Sequence, residues 1–309
     1  MQKNMCLWTG EALGLAPELV LPSSTGVIGQ RLPIKKIHEG CKSIAENLAS
    51  TPEHIEKFAR AIMTTDSHPK WSSCSVGNAS ILGIAKGAGM VEPNMATMLS
   101  YFVTDAQISS VELQAMLERV VNKSFNRISI DTDTSTSDTV VILANGLAGA
   151  VDVEKFEAAF TNSAIQLAKE IARDGEGATK LIELTVSGAQ SQPMALQIAK
   201  SIINSPLVKT AIHGADPNWG RFVMAVGKVF EYPVPLADLS IHFKKGAQVL
   251  TVNAESLDAD EVDLEAISAL LQNQEIFIEV VVGSGNFSET VWGCDLTKGY
   301  IEENAFYTT

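Results

Sequence analysis

The chain has 309 residues, 46% of them hydrophobic and 19% charged, a balance that fits a folded protein with a sizeable core and argues against disorder. Its 36 acidic residues exceed the 23 basic ones, for a formal net charge of -13. Its long-range field therefore repels phosphate backbones and anionic membrane surfaces, so neither nucleic acid nor a membrane is expected as a partner.

No apolar run reaches the roughly 18 uncharged residues of a spanning helix; the best, Val140 to Ala144, is stopped by Asn145 and Gly146. The opening residues MQKNMCLWTGEALG place Glu11 where a secretory signal needs an apolar core, which sets an intracellular location as the expectation. Cys6, Cys41, Cys74 and Cys294 are dispersed, without a CxxC or a histidine at ligand spacing, and read as inert thiols; no metal site is expected.

In chain order, apolar residues recur at helical spacing from Pro33 to Met63, and Thr51-Pro52-Glu53 resembles the cap and first turn of a second helix there. Ser80 to Met90 is punctuated by glycines, Met98 to Thr104 is rich in strand formers, and Ser110 to Asn122 predicts a Ser-capped helix. Thr139 to Ala144 predicts a buried strand, Val153 to Arg173 an amphipathic helix ending at Asp174-Gly175-Glu176-Gly177, and Thr179 to Ser187 a strand. A helix over Ala195 to Asn204 precedes the turn-rich stretch Gly214 to Gly220. Strands are expected over Ser240 to Phe243, Gln248 to Val252 and Gln274 to Val282, with a helix from Leu264 to Gln272. Mixed helices and strands, with hairpin-like pairs in the last third, favour an α+β fold over a doubly wound parallel sheet.

Three segments are too unusual for generic core. In Gly83 to Leu99 a lone Lys86 stands among glycines that allow close approach to main chain, but the spacing is not that of a phosphate loop. Asp131, Asp133 and Asp138 imitate part of a calcium loop without its central Gly and closing Glu, so a hydroxyl-rich turn is the preferred local reading. Glu176, between two glycines, can reach a ligand amine or sit in solvent.

These segments carry a resemblance. KGAGMVEPNMATML, STGVIG at Ser24 to Gly29, MTTD at Met63 to Asp66, DTSTSDT at Asp133 to Thr139, DGEGATKLIE at Asp174 to Glu183, SPLVKTAIHGADPNWGR at Ser205 to Arg221 and the C-terminal GCDLTKGYIEENAFYTT are similar to the ArgJ family, in its order, over roughly Pro22 to Thr309. The resemblance implies an α+β enzyme of mixed sheets layered with helices, which cuts itself between Ala96 and Thr97 into an α segment, residues 1–96, and a β segment, residues 97–309. The chemistry suits threonine: its hydroxyl can attack the preceding carbonyl, and the freed α-amine, with an ordinary pKa of about 7.7 to 8.0, can serve as base to that same hydroxyl.

The family's reaction is acetyl transfer from N2-acetylornithine to L-glutamate through acetyl-Thr97, releasing ornithine, within arginine biosynthesis. By the same resemblance Thr25 and Gly26 form the oxyanion hole, and Thr64, Lys86, Thr97, Glu176, Asn304 and Thr309 bind substrate. No cofactor is expected; acetyl-CoA stays open as a second acetyl donor. The α and β segments should stay together as a heterodimer and assemble further as α2β2, in the cytoplasm or, in a eukaryote, the mitochondrial matrix.

Only 23 residues precede Ser24, where family members carry a longer stretch, so an exposed sheet edge and apolar face are expected. Thr132 stands where the family pattern has Gly, which predicts strain in a tight turn. A self-processing aminopeptidase or amidase of the same fold, and an inactive shortened relative, remain as alternatives.

Overall fold

A computed structural model describes residues 2–92, 98–253, 256 and 261–306. Helices α1 (Gln2–Leu13), α2 (Ile34–Lys42) and α3 (Pro52–Ala61) come first; α3 starts with Pro52 in its first turn after Thr51, as the sequence predicts. The chain then builds a four-stranded sheet from β1 (Lys70–Val76), β2 (Ala79–Lys86), β3 (Leu99–Gln107) and β5 (Thr139–Ala150), in that spatial order. β1 and β2 form a tight antiparallel hairpin over Gly77 (φ +59°) and Asn78, while β3 and β5 run parallel.

The second sheet has six strands. Its order is β4 (Ile128–Ser129), β10 (Phe287–Cys294), β6 (Leu181–Ala189), β9 (Glu275–Val281), β7 (Ser240–Lys245), β8 (Gln248–Asn253), with β6 and β9 parallel and the β7–β8 hairpin at one end. The mixed sheets confirm the α+β expectation.

The helix α5 (Val153–Arg173) joins the two sheets. Asp152 caps it by accepting from the Lys155 amide, and its buried stripe of Phe156, Phe160, Ala164, Leu167, Ala168 and Ile171 follows the helical period. This stripe packs with Ile81 and Phe102 of the first sheet and with Leu181 and Trp292 of the second, alongside Met116 and Val120 of α4 (Ser110–Lys123). On the far side of the second sheet lie α6 (Gln192–Ile203), α7 (Pro206–Gly214), α8 (Gly220–Gly227) and α9 (Leu264–Leu271) over a second apolar core that includes Ile198, Phe222, Phe243 and Ile278. A last helix, α10 (Lys298–Phe306), follows β10. Among the described residues no helix is long and apolar enough to cross a membrane.

The structure departs from the sequence reading in several places. The glycine-punctuated stretch is a strand as far as Lys86, because Gly83 faces Phe102 so closely that an added Cβ would lie 2.4 Å from its ring. β5 continues past Asn145-Gly146 to Ala150, with Gly146 and Gly149 at positive φ and a register shift opposite Thr104 to Ala106. The strands β1, β4 and β10 and the helices α1, α7, α8 and α10 are not among the elements expected from the sequence. β5 lies at one end of its sheet, and Leu143 and Leu147 on it are exposed.

Candidate active site

The cleft opens where several chain segments meet, among them the turn Thr64 to Asp66 before β1, the loop after Lys86 at the end of β2, and the loop that follows α5. Asp66 organises the first two. Its Oδ1 accepts from the Gly87 amide at 2.7 Å and from Lys70 Nζ at 2.7 Å, and its Oδ2 accepts from the Thr64 amide at 3.1 Å. Lys70 Nζ also donates to Asp174 Oδ2 at 2.5 Å, and neither Lys70 nor Asp66 exposes any side chain to solvent. Ser67 donates its hydroxyl to Asp174 Oδ1, closing the network. Burial opposes ionisation of Asp66, but the Lys70 charge, the hydrogen bond from Lys70 and the two amides outweigh it, holding the carboxyl below its ordinary range.

Lys86 is 4% exposed and reaches Thr64 Oγ1 at 3.4 Å. Burial pulls its ammonium below the ordinary lysine range, against the opposing charges of Asp66, Asp138 and Glu176. It is a cation with little water to shield it, suited to a carboxylate ligand.

Glu176 comes from the Gly-rich end of α5, where its amide donates to Ala88 O at 2.8 Å. Its carboxylate accepts from Thr65 Oγ1 at 2.8 Å and from Asn304 Nδ2 of α10 at 2.7 Å. Gly89 leaves room for it: a Cβ there would lie 2.2 Å from the carboxylate carbon. Gly177, at φ +64°, lets the chain pass Gly299 and Tyr300, where a Cβ would come within 2.2 Å of the Tyr300 nitrogen.

Thr25, Gly26, Thr64, Lys86, Glu176 and Asn304 all line one cleft of about 100 Å³, together with Thr65, Gly89, Ser135 and Thr136. Six of the residues singled out from the sequence are thus neighbours. Gly26 has φ +153°, a backbone conformation that side chains rarely adopt. Ala96, Thr97 and Thr309 lie outside the described residues, and with them the expected cleavage bond and nucleophile.

The acidic segment beyond Phe125 to Arg127 has a local task. Asp131 accepts from the amides of Met90 at 2.6 Å, Val91 at 2.9 Å and Asp133 at 3.2 Å, tying the loop after β2 to the start of the Ser/Thr-rich turn. The hydroxyl-rich turn preferred from the sequence lies just beyond, where Ser135 Oγ accepts from the Ser137 amide at 3.2 Å and Thr139 Oγ1 donates to Ser137 O at 3.4 Å; the Asp131 contacts, across 40 residues of chain, are a long-range tie that this reading did not include. Burial nevertheless raises the Asp131 pKa, with the three amides pulling the other way. Thr132 has φ +70°, so the strain expected from a threonine in place of Gly is present. Asp66, Lys70, Thr65 and Asp174 were not identified from sequence as site-building residues. The available signal was a Lys at a buried position of the alternating strand Lys70–Val76.

A profile of the ArgJ family matches residues 1–309, so the likeness reaches upstream of Pro22 to the first residue. The arginine biosynthesis bifunctional protein ArgJ 2 of Clostridium acetobutylicum is 52% identical over 297 residues, 96% of this chain and 75% of that protein. The glutamate N-acetyltransferase Oat2 of Streptomyces clavuligerus is 46% identical over 299 residues, again 96% of this chain and 75% of the relative. The crystal structure of the arginine biosynthesis bifunctional protein argJ of Bacillus halodurans aligns with a TM-score of 0.59 at 40% identity, covering 66% of this chain and 96% of that one.

Proposed function

The chain belongs to the ArgJ family and is an acyltransferase; from that premise we propose that it moves acetyl from N2-acetylornithine to L-glutamate through an ester on Thr97. The observation that carries this reading is the convergence of Thr25, Gly26, Thr64, Lys86, Glu176 and Asn304 on one cleft.

The chain cuts itself between Ala96 and Thr97, giving segments 1–96 and 97–309. Thr97 Oγ then attacks the acetyl carbonyl, the amide C–N bond breaks, and ornithine leaves with the proton that the Thr97 α-amine has taken from the hydroxyl. Glutamate enters, its α-amine attacks the ester carbonyl, the C–O bond breaks, and Thr97 Oγ recovers a proton. Both steps put negative charge on the acyl oxygen, where Thr25 and the Gly26 amide donate, each donor in such a site contributing about 2.7 to 4 kcal/mol.

Lys86 pairs with the α-carboxylate that both substrates share. Glu176, steadied by Thr65 and Asn304, faces the ornithine ammonium, and Thr64 and Thr309 complete the polar lining. The two segments remain paired and assemble as α2β2, in the cytoplasm of a bacterium or the mitochondrial matrix of a eukaryote.

Mass spectrometry of the purified protein, followed by transfer assays, tests the reading. The expected result is two polypeptides meeting at Thr97, and N-acetylglutamate formed from N2-acetylornithine and glutamate. Thr97→Ala should leave the chain whole and without transfer; full turnover in that variant would refute the nucleophile. A parallel incubation of glutamate with acetyl-CoA alone reads whether a thioester also supplies acetyl.

A further inference from the structure

One buried carboxylate has no part in the transfer described so far. Asp295 directly follows β10 and exposes none of its side chain. Its Oδ1 accepts from the Thr179 amide at 2.8 Å and the Lys180 amide at 2.9 Å, while its Oδ2 accepts from the Thr179 hydroxyl at 2.5 Å and meets His213 Nδ1 of α7 at 2.9 Å. A carboxylate taken out of water is tolerated only while its oxygens have donors. Asp295 therefore pins the loop after α5, the end of α7 and the segment leading from β10 into α10 against one another.

The loop carries Glu176, and the last segment carries Asn304. Contacts between them follow one another from Asp295 to the cleft: Asp295 holds Thr179, the Thr297 hydroxyl donates to Gly177 O at 2.6 Å, and Asn304 Nδ2 donates to Glu176 Oε2 at 2.7 Å. Thr297 Oγ1 also accepts from the Gly299 amide at 2.9 Å, where α10 begins. The two backbones pass so closely that a Cβ on Gly299 would lie 2.9 Å from the Gly177 Cα. Lys180 anchors the far end. Its Nζ donates to Ile212 O at 2.6 Å and His213 O at 3.1 Å in the last turn of α7, and to Leu271 O at 2.7 Å at the end of α9, where a cation suits the helix carbonyls.

We propose that Asp295 is a positioning residue for the acetylornithine half of the reaction: by clamping the loop to the last segment it keeps Asn304 paired with Glu176 and holds the Glu176 carboxylate in the cleft. The inference rests on the transfer reading above, in which Glu176 faces the ornithine ammonium. Asp295 does not line the cleft, so it acts through Glu176. The consequence is selective between the two substrates. Glutamate has no side-chain ammonium to offer Glu176, so loosening the clamp weakens the step with acetylornithine far more than the step with glutamate.

The test is steady-state kinetics of the full chain, because in a ping-pong reaction kcat/KM for each substrate reports its own half-reaction. Asp295→Ala removes every acceptor and should lower kcat/KM for N2-acetylornithine about tenfold, while kcat/KM for glutamate stays within about twofold of wild type. Asp295→Asn keeps an oxygen for the Thr179 and Lys180 amides and should recover part of the loss. In a Glu176→Gln background Asp295→Ala should add less than about twofold, because the carboxylate that it positions is already gone.

Equal losses for the two substrates would mean a merely structural role and overturn the proposal, as would unchanged values for both, or losses from Asp295→Ala and Glu176→Gln that multiply. If Asp295→Ala does not fold, Thr297→Val decides, since it removes only the Gly177 and Gly299 contacts: the same selective loss supports the clamp, and an even loss or none refutes it. A wild-type chain that moves no acetyl from N2-acetylornithine would instead sink the transfer reading, and the clamp with it.

Discussion

The two sheets divide the work of the molecule. Around the second sheet the core is made of apolar side chains such as Ile198, Phe222, Phe243 and Ile278. Around the end of the first sheet, Asp66, Lys70, Lys86 and Glu176 are all buried beside one cleft. Apolar packing needs only volume and shape, whereas buried charges need partners in fixed directions. The first sheet therefore holds a site in place at the risk of large penalties when any partner is lost, and the second supplies the stable support behind it.

Breaking the charged side should have the largest effect. Lys70→Met leaves Asp66 and Asp174 facing each other without a cation, and should lower stability by about 3 to 5 kcal/mol in urea unfolding, while also impairing transfer. Phe243→Ala in the other core should cost a similar amount, about 3 to 5 kcal/mol, yet keep kcat at its wild-type value under conditions where the variant is folded. If Phe243→Ala lowers kcat as much as Lys70→Met does, the division between the sheets is wrong.

Acid sharpens the same contrast. The folded-state pKa of Asp66 is depressed, so its contribution is complete above the unfolded value of about 3.9 and is lost as pH falls through the lower, folded value. Unfolding followed from pH 6 downwards should show a loss of stability below about pH 4 that is smaller in Asp66→Asn. An identical acid slope in the two proteins would contradict the ion pair.

Smaller changes test the cleft and its rim. Gly89→Ala puts a methyl 2.2 Å from the Glu176 carboxylate carbon, so the carboxylate must leave Thr65 and Asn304. The expected reading is a KM for acetylornithine raised about tenfold, equivalent to about 1.4 kcal/mol, with kcat changed less; an unchanged KM would remove Glu176 from substrate binding. The mildest case is Thr132→Gly, which relieves the left-handed backbone and should raise stability by about 1 kcal/mol, seen as a small rise in Tm without a change in rate.

Much of the frame was legible in the residues themselves. The apolar period of α5 and the glycines around Glu176 mark both a helix and the place where it ends. The hairpin strand β7 follows its alternation of buried and partly exposed residues. β1 was missed because KWSSCSV is polar by composition: Lys70 and Ser72 are buried through ion pairs and hydroxyl contacts that only the folded partners Asp174 and Gln166 provide. The cleft was legible in another sense. Its residues were named by resemblance, and no spacing along the chain relates Thr25 to Asn304; the fold alone makes them neighbours.

The Lys70 to Asp174 bridge has a consequence for anyone recombining relatives. It spans the proposed scission, with its cation upstream and its anion downstream. A chimaera that takes its front from one homologue and its back from another would inherit half of this bond from each parent. Compatibility of such hybrids should therefore be decided first by whether lysine meets aspartate at that crossing, before any wider likeness between the parents counts.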